Sequence, residues 1–331
     1  MDAQTAVTLA AIAYCDNNCI QPTLNKYLNG WTAVWVADQP INGNIAFIAY
    51  DGTSQYVVAI RGSLLNFSWQ AFDNWFEEDL NVFFQVDWTF GSDSSAKVAQ
   101  GAIDGLTDLS NLVDSNSGSP VSLLAFLQAN AVARSRPITV TGHSLGGNLA
   151  TVVAPWLVYQ IQQAGSTVPP ISIYTFAAPA AGNQSFANDY DTRFQGVSWR
   201  YVMEFDIIPT FPLPSLMFGM STWYSPAPEA SQLSVTYDGN TVTLQEAILA
   251  IAAAIEVSEV TYGSHYTHTN QSEGTVSVST TQCNQWQNST IEDWFDTVSC
   301  HHSILQYSPA VGASAVTCVT PSGEAALRQP L

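Results

Sequence analysis

The amino-acid sequence predicts an α/β domain with a largely parallel sheet. Short apolar runs rich in β-branched and aromatic residues alternate with longer helix-compatible stretches, the pattern of βαβ units. One such run, residues 138–141, breaks off at Gly142-His143-Ser144-Leu145-Gly146, and a helix-compatible segment follows at once. Hydrophobic residues make up 47% of the 331 positions, with 10 Trp, 13 Tyr and 15 Phe, enough to fill a large core.

Residues 6–14 are apolar. No basic leader precedes them and Asp2 stands where positive charge would be expected, so they read as a first amphipathic helix rather than a signal-peptide core. Residues 45–50 and 56–60 form two short strands joined by Asp51-Gly52-Thr53-Ser54, which has turn chemistry. Further buried strands are expected at 138–141, 171–176 and 199–203, with helices at 123–134 and 145–162 between them. After Phe211 the character changes. Pro209, Pro212, Pro214, Pro226 and Pro228 interrupt the chain, a very apolar helix is expected at 244–256, and Gly/Ser/Thr/Asn-rich sequence follows to about 289. No repeat or linker divides the sequence, so it reads as a single domain over 1–331 with a capping insertion at about 212–289.

Only 11% of residues are charged, and 27 acidic against 8 basic side chains give a net charge of −19. Such a surface repels nucleic acid and anionic bilayers but is compatible with a neutral ester, an oil droplet or a micelle. Acidity that simply keeps the protein in solution explains the charge equally well. No run approaches the roughly 18 apolar residues of a membrane span. Five cysteines (Cys15, Cys19, Cys283, Cys300 and Cys318) are too few for a disulfide scaffold, and their odd number leaves one over. The spacing of Cys15 and Cys19 suits a local bridge poorly, and Cys283 with Cys300 is the pair expected first. Scarce lysine and Asn-x-Ser/Thr sequons at Asn66, Asn183, Asn270 and Asn288 fit a secreted protein.

The chemistry starts at Ser144. A serine on a tight strand-to-helix turn has its Oγ pushed into the open, glycines on either side make room for the crowded backbone, and the helix N-terminus favours developing negative charge. Such a nucleophile needs a base, an orienting acid and an oxyanion hole; where the elbow is that of an α/β-hydrolase, the chain order is serine, then Asp or Glu, then histidine. His143 flanks the serine and its side chain starts in another direction, so it reads as an elbow-supporting residue. His301 and His302, after the amphipathic residues 291–298, are the base candidates. A zinc site built from His265, His268 and this pair lacks cysteine or carboxylate ligands at zinc-like spacing, so no metal is expected. Asp206 lies just past the strand at 199–203, where open parallel sheets gather their sites; Glu204, Asp189 and Asp191 are its rivals. The run 57–63 ends in Arg61-Gly62-Ser63, whose backbone N–H, with that of Leu145, is placed to cradle an oxyanion. Phe67, Trp69, Phe72, Trp75 and Phe76 then crowd a segment that should be a loop. They are either core or a mobile apolar lid of about residues 64–84 over an acyl-binding cleft.

Taken together, these motifs resemble the fungal-type class 3 lipases, an α/β-hydrolase family that also contains phospholipases A1 and feruloyl esterases. The matching pieces occur in family order: Ile60-Arg-Gly-Ser63, Asn74-Trp-Phe-Glu-Glu-Asp-Leu80, Lys97-Val-Ala-Gln-Gly101, Thr141-Gly-His-Ser-Leu-Gly-Gly147, Thr175-Phe-Ala-Ala-Pro179 and Asp206-Ile-Ile-Pro209. The resemblance covers about residues 1–215 and 290–310. It implies an α/β-hydrolase fold with a mostly parallel sheet flanked by helices. It also implies a Ser144, Asp206 and late-histidine triad, with Ser63 and Leu145 as oxyanion donors. The family places its histidine a few residues before an aromatic, which His302-Ser-Ile-Leu-Gln-Tyr307 fits better than His301 does. The implied activity is cofactor-free ester hydrolysis, first of acylglycerols at an oil–water interface, then of phospholipids or feruloyl-type esters. A catalytically silent lipid-binding module on the same scaffold is the reading from another class.

Overall fold

The apolar runs become strands because each carries two interleaved apolar faces. In a computed structural model, which describes residues 1–64, 68–74, 80–116, 119–224, 230–283 and 290–326, they form a seven-stranded sheet. Chain order and spatial order coincide: β1 (Thr32–Val36), β2 (Ala46–Tyr50), β3 (Tyr56–Ile60), β4 (Ile138–His143), β5 (Ile171–Phe176), β6 (Ser198–Met203) and β7 (Thr275–Val278). β1, β2 and β3 pair antiparallel, and every pair from β3 to β7 is parallel. Eleven described helices accompany them: α1 (Ala3–Ile12), α2 (Asn17–Tyr27), α3 (Trp69–Asn74), α4 (Gln100–Asn111), α5 (Leu123–Asn130), α6 (Leu145–Gln163), α7 (Gln184–Arg193), α8 (Pro214–Met220), α9 (Leu244–Tyr262), α10 (Ile291–His302) and α11 (Ile304–Ala310).

The period of two sorts each strand between two cores. Phe47, Ala49, Val57, Ala59 and Phe176 pack on one face with α1, α2 and α11. Ala46, Ile48, Val58, Ile60 and Val140 pack on the other with α4, α6, α9 and α10. This is the helix–sheet–helix layering of an α/β-hydrolase, with a mostly parallel sheet as expected.

Several expectations need correction. The first helix is buried all round from Ala6 to its end at Ile12, because the sheet covers one side and α2 and α11 cover the rest; it is not amphipathic. The segment expected to cap the domain as far as residue 289 returns to the central sheet at β7, which pairs with β6. Its Thr-Val-Ser-Val sequence is too short and too polar to stand out from its surroundings, and an edge strand needs only one apolar face. A short strand at Tyr266–Thr267 likewise pairs with Gly182–Asn183. The very apolar helix runs six residues further than expected, to Tyr262, where Gly263 closes it in the left-handed conformation. Cys283 pairs with Cys300 as expected, Cys15 reaches across the chain to Cys318, and Cys19 is the free, buried thiol.

Candidate active site

β4 ends at His143, α6 begins at Leu145, and Ser144 alone makes the turn, at φ 59° and ψ −129°. That left-handed conformation is costly for a residue with a Cβ, by about 1–3 kcal/mol, and persists only where its surroundings hold it. Here the Ser144 N–H donates to the Phe176 carbonyl and the Ser144 carbonyl accepts from Gly147 and Asn148. The turn is so tight that a Cβ on Gly142 would collide with the Gly146 backbone, and one on Gly146 with the Ile60 carbonyl. The glycines are therefore dictated by backbone approach, and the second also seats the elbow against the end of β3.

Asp206 follows β6 and His302 closes α10. These two meet Ser144 in one hydrogen-bonded line. The Ser144 hydroxyl lies 2.8 Å from His302 Nε2, and His302 Nδ1 lies 3.0 and 3.1 Å from the two Asp206 oxygens. An ionised carboxylate only accepts, so Nδ1 carries the proton and Nε2 offers its lone pair to the serine hydroxyl. The Asp206 carboxylate also accepts from the Ile208 amide at 3.0 Å and from the Tyr307 hydroxyl at 2.7 Å. Tyr307 in turn accepts from the Met203 amide at 2.8 Å. Burial and the Asp206 charge push the Tyr307 phenol well above its ordinary value, so it stays a donor.

His143 does what its position suggested. Its Nε2–H donates to the His302 carbonyl at 2.7 Å, and its Nδ1 accepts from the Tyr14 hydroxyl at 2.8 Å. Burial, reinforced by neighbouring His302, holds it well below the ordinary histidine value, hence neutral. His301 turns away from the serine and stacks on Tyr224 with ring centroids 5.6 Å apart. The rival acids are occupied elsewhere: Asp189 pairs with Arg193, and Asp191 accepts from the Asn270 and Gln271 amides. His265 pairs with Glu259 and His268 faces Arg200, so the structure does not bring the histidines of a zinc site together.

Ser63 and Leu145 line one cavity of about 620 Å³, whose wall also carries Asn44, Arg61, Asp104 and Asp108. The Leu145 amide heads α6, among the N–H groups that a helix leaves without an internal partner. Of the expected lid aromatics, Phe67, Trp75 and Phe76 lie outside the described residues. Trp69 and Phe72 belong to α3. Phe72 is 3% exposed and packs between Phe211 and Phe295, at 5.6 and 5.7 Å, while the Trp69 indole N–H donates to the Thr236 carbonyl at 2.7 Å. Ser144 and His302 are 1% and 3% exposed, so the line of side chains is sealed from solvent. Sequence reasoning missed Tyr14 and Tyr307. Tyr307 had entered only as the aromatic that favoured His302, and nothing local marks Tyr14, which meets His143 across 129 positions.

Residues 57–216 match the sequence profile of the family described as lipase (class 3). Through this segment the chain is similar to the class 3 lipases. A secreted mono- and diacylglycerol lipase of Fusarium solani is 31% identical over 176 residues, 53% of this chain and 44% of the relative. A Caenorhabditis elegans lipase is 38% identical over 80 residues, 24% of this chain and 21% of that protein. The chain thus spans less than half the length of these two curated relatives. Among solved structures, M37 lipase superposes with a TM-score of 0.71 at 19% identity, covering 91% of this chain and 90% of its own. That similarity carries the α/β-hydrolase fold through the region after residue 216, where the match to the family profile ends.

Proposed function

We propose that this chain is a class 3 lipase, a carboxylic-ester hydrolase acting on acylglycerols at a lipid–water interface. The observation that carries the reading is the line Ser144–His302–Asp206 set behind a strained elbow. In it, Ser144 Oγ attacks the ester carbonyl as its proton passes to His302 Nε2, while Asp206 holds Nδ1–H and stabilises the imidazolium. The oxyanion accepts hydrogen bonds from the Ser63 and Leu145 amides. Collapse expels the alcohol, which takes the proton from His302, and leaves an acyl group on Ser144. Water then repeats the sequence, with the same histidine as base. No cofactor enters these steps.

Lipid ester as substrate is supported by the family and by the names of the relatives. The buried serine and the inward-facing Phe72 support an α3 lid that must move before a long acyl chain can enter. Residues 1–331 then act as one catalytic unit, with a lid at about 64–84 and the insertion from about 212 covering the cleft before it rejoins the sheet at β7. Two disulfides and the secreted Fusarium relative support an extracellular location. No described helix is long and apolar enough to cross a membrane.

The test is hydrolysis of a p-nitrophenyl ester chain-length series, with and without an interface, by wild type, Ser144→Ala and His302→Ala. Both variants should lose at least about a thousandfold in kcat/KM. Retained activity in Ser144→Ala ends the reading, and retained activity in His302→Ala moves the base to His301. Tributyrin emulsion, phosphatidylcholine vesicles and methyl ferulate separate lipase from phospholipase and feruloyl esterase. A silent binding module would escape stoichiometric labelling by a serine-directed phosphonate.

A further inference from the structure

The cavity lined by Ser63 and Leu145 is walled by polar groups, which is not what an acyl chain needs. Its volume of about 620 Å³ is that of a small-ligand site. Among the described residues, only Leu64 and Leu145 bring apolar side chains to its wall; the rest are glycine or polar. An acyl chain has its apolar counterpart elsewhere, beneath α3, where Phe72 packs between Phe211 and Phe295.

Three segments converge on this cavity. The turn between β1 and β2 brings Asn42 and Asn44, the end of β3 runs on into Arg61 and Ser63, and α4 brings Asp104 and Asp108. Gly101, Asp104, Gly105 and Asp108 fall at i, i+3, i+4 and i+7, so one face of α4 forms the wall. Asp108 ties the turn to the helix, accepting from Asn42 Nδ2 at 3.1 and 3.2 Å and from Asn44 Nδ2 at 2.9 Å. Arg61 ties the opposite side, donating from Nη2 to the Gly43 carbonyl at 2.9 Å. Asn44 and Arg61 are 9% and 8% exposed, so the wall is a bonded, buried frame rather than a solvated cluster of side chains. Asp104 differs. Among the described residues its carboxylate accepts from Gln100 Nε2 alone, at 2.7 Å, and an ionised carboxylate has room for about four such bonds.

We propose that this cavity receives the alcohol portion of the ester, and that the preferred alcohol is an uncharged polyol, one of whose free hydroxyls donates to Asp104. The inference deepens the ester-hydrolase reading and rests on it. In that reading Ser63 and Leu145 supply the oxyanion amides, and both line the cavity, so an ester carbonyl held by them has the cavity beside it. The acyl chain takes the apolar seam under α3, which leaves the polar side for the alcohol. A hydroxyl donating to a carboxylate makes a charge-assisted bond, stronger than a neutral pair. A phosphate would meet two carboxylates against one guanidinium that is already bonded to Gly43, so a neutral headgroup is favoured over an anionic one. Glycerol with unesterified hydroxyls and a sugar share this chemistry.

The experiment compares four soluble esters of one acyl chain: monobutyrin, glucose monobutyrate, butyl butyrate and butyryl glycerophosphate. Wild type, Asp104→Ala, Thr107→Trp and Ser144→Ala are assayed on each. Asp104 and Thr107 are exposed on α4 and both line the cavity; alanine removes the acceptor, and tryptophan fills the space. In wild type, kcat/KM for the better of monobutyrin and glucose monobutyrate should exceed that for butyl butyrate by about tenfold, the worth of one hydrogen bond to a charged acceptor. Which of the two is better names the source of the hydroxyls. Asp104→Ala and Thr107→Trp should each lower that ratio by about tenfold, whereas general damage to the fold lowers both of its members and leaves it in place. Butyryl glycerophosphate should be cleaved less well than monobutyrin. A ratio unmoved in either variant, or a wild type that favours butyl butyrate or the phosphate ester, overturns the proposal. A wild type that cleaves none of the four esters, or a Ser144→Ala variant that still cleaves them, overturns the hydrolase reading instead.

Discussion

Tyr307→Phe removes one oxygen atom from the site and leaves the ring in place. That oxygen accepts from the buried Met203 amide at 2.8 Å and donates to Asp206 at 2.7 Å, so two bonds are lost together. The orphaned Met203 N–H should cost about 1–3 kcal/mol, and the lost bond to a charged acceptor about 1.5–3 kcal/mol. A combined loss of roughly 3–5 kcal/mol follows if neither group finds water, which the complete burial of Tyr307 disfavours. Asp206 keeps its bonds from Ile208 and His302, so the imidazole stays aligned. Activity should accordingly fall by about ten- to a hundredfold, the equivalent of one charge-assisted hydrogen bond, rather than to background. Urea unfolding followed by circular dichroism gives the first quantity, and kcat/KM on p-nitrophenyl butyrate gives the second. Stability within about 1 kcal/mol of wild type, with activity within threefold, would refute the view that this hydroxyl holds the acid.

Three further outcomes are expected. Trp69→Phe keeps the ring on the Tyr237 edge but deletes the bond to Thr236, so activity on soluble esters should rise about two- to tenfold and the gain from adding an interface should shrink; an unchanged ratio would mean that α3 is not latched there. His143 is buried and neutral with its proton affinity depressed, so its contribution to stability is complete above about pH 6.5 and is lost as pH falls below it, by up to about 1.4 kcal/mol per unit. Urea titrations at several pH values on wild type and His143→Gln check this, and identical slopes would contradict it. Cys15–Cys318 spans 303 positions and Cys283–Cys300 spans 17, so loop entropy ranks them at up to about 5 and about 3 kcal/mol. Cys15→Ser should therefore lower the melting temperature more than Cys283→Ser does, and the reverse order would reject the entropic account.

The elbow was legible because its constraints are local. A β-branched run, two glycines where the backbone needs close approach, and a helix-forming segment all fall within a dozen residues, and Ser144 sits where they place it. Asp206 was legible as an acid at a strand end. His302 was preferred to His301 only through the resemblance, by its spacing to Tyr307; both close the same helix, and it is packing that turns one towards the serine and the other onto Tyr224. β7 was hidden for a related reason, since four residues of weak pattern become a strand only when β6 offers them an edge.

The sequence by itself determined the strand periods, the strained serine turn, the family motifs and the identity of the chemical groups, because these follow from backbone sterics and from side chains a few positions apart. Tertiary structure alone decided which groups meet over long separations. It set Tyr14 against His143, Tyr307 against Asp206, Cys15 against Cys318, and the Arg200 guanidinium against His268. A histidine or a tyrosine reads the same in sequence whether it faces water or a buried charge. Its partner and its protonation are fixed only when folding removes the water and brings in the neighbour.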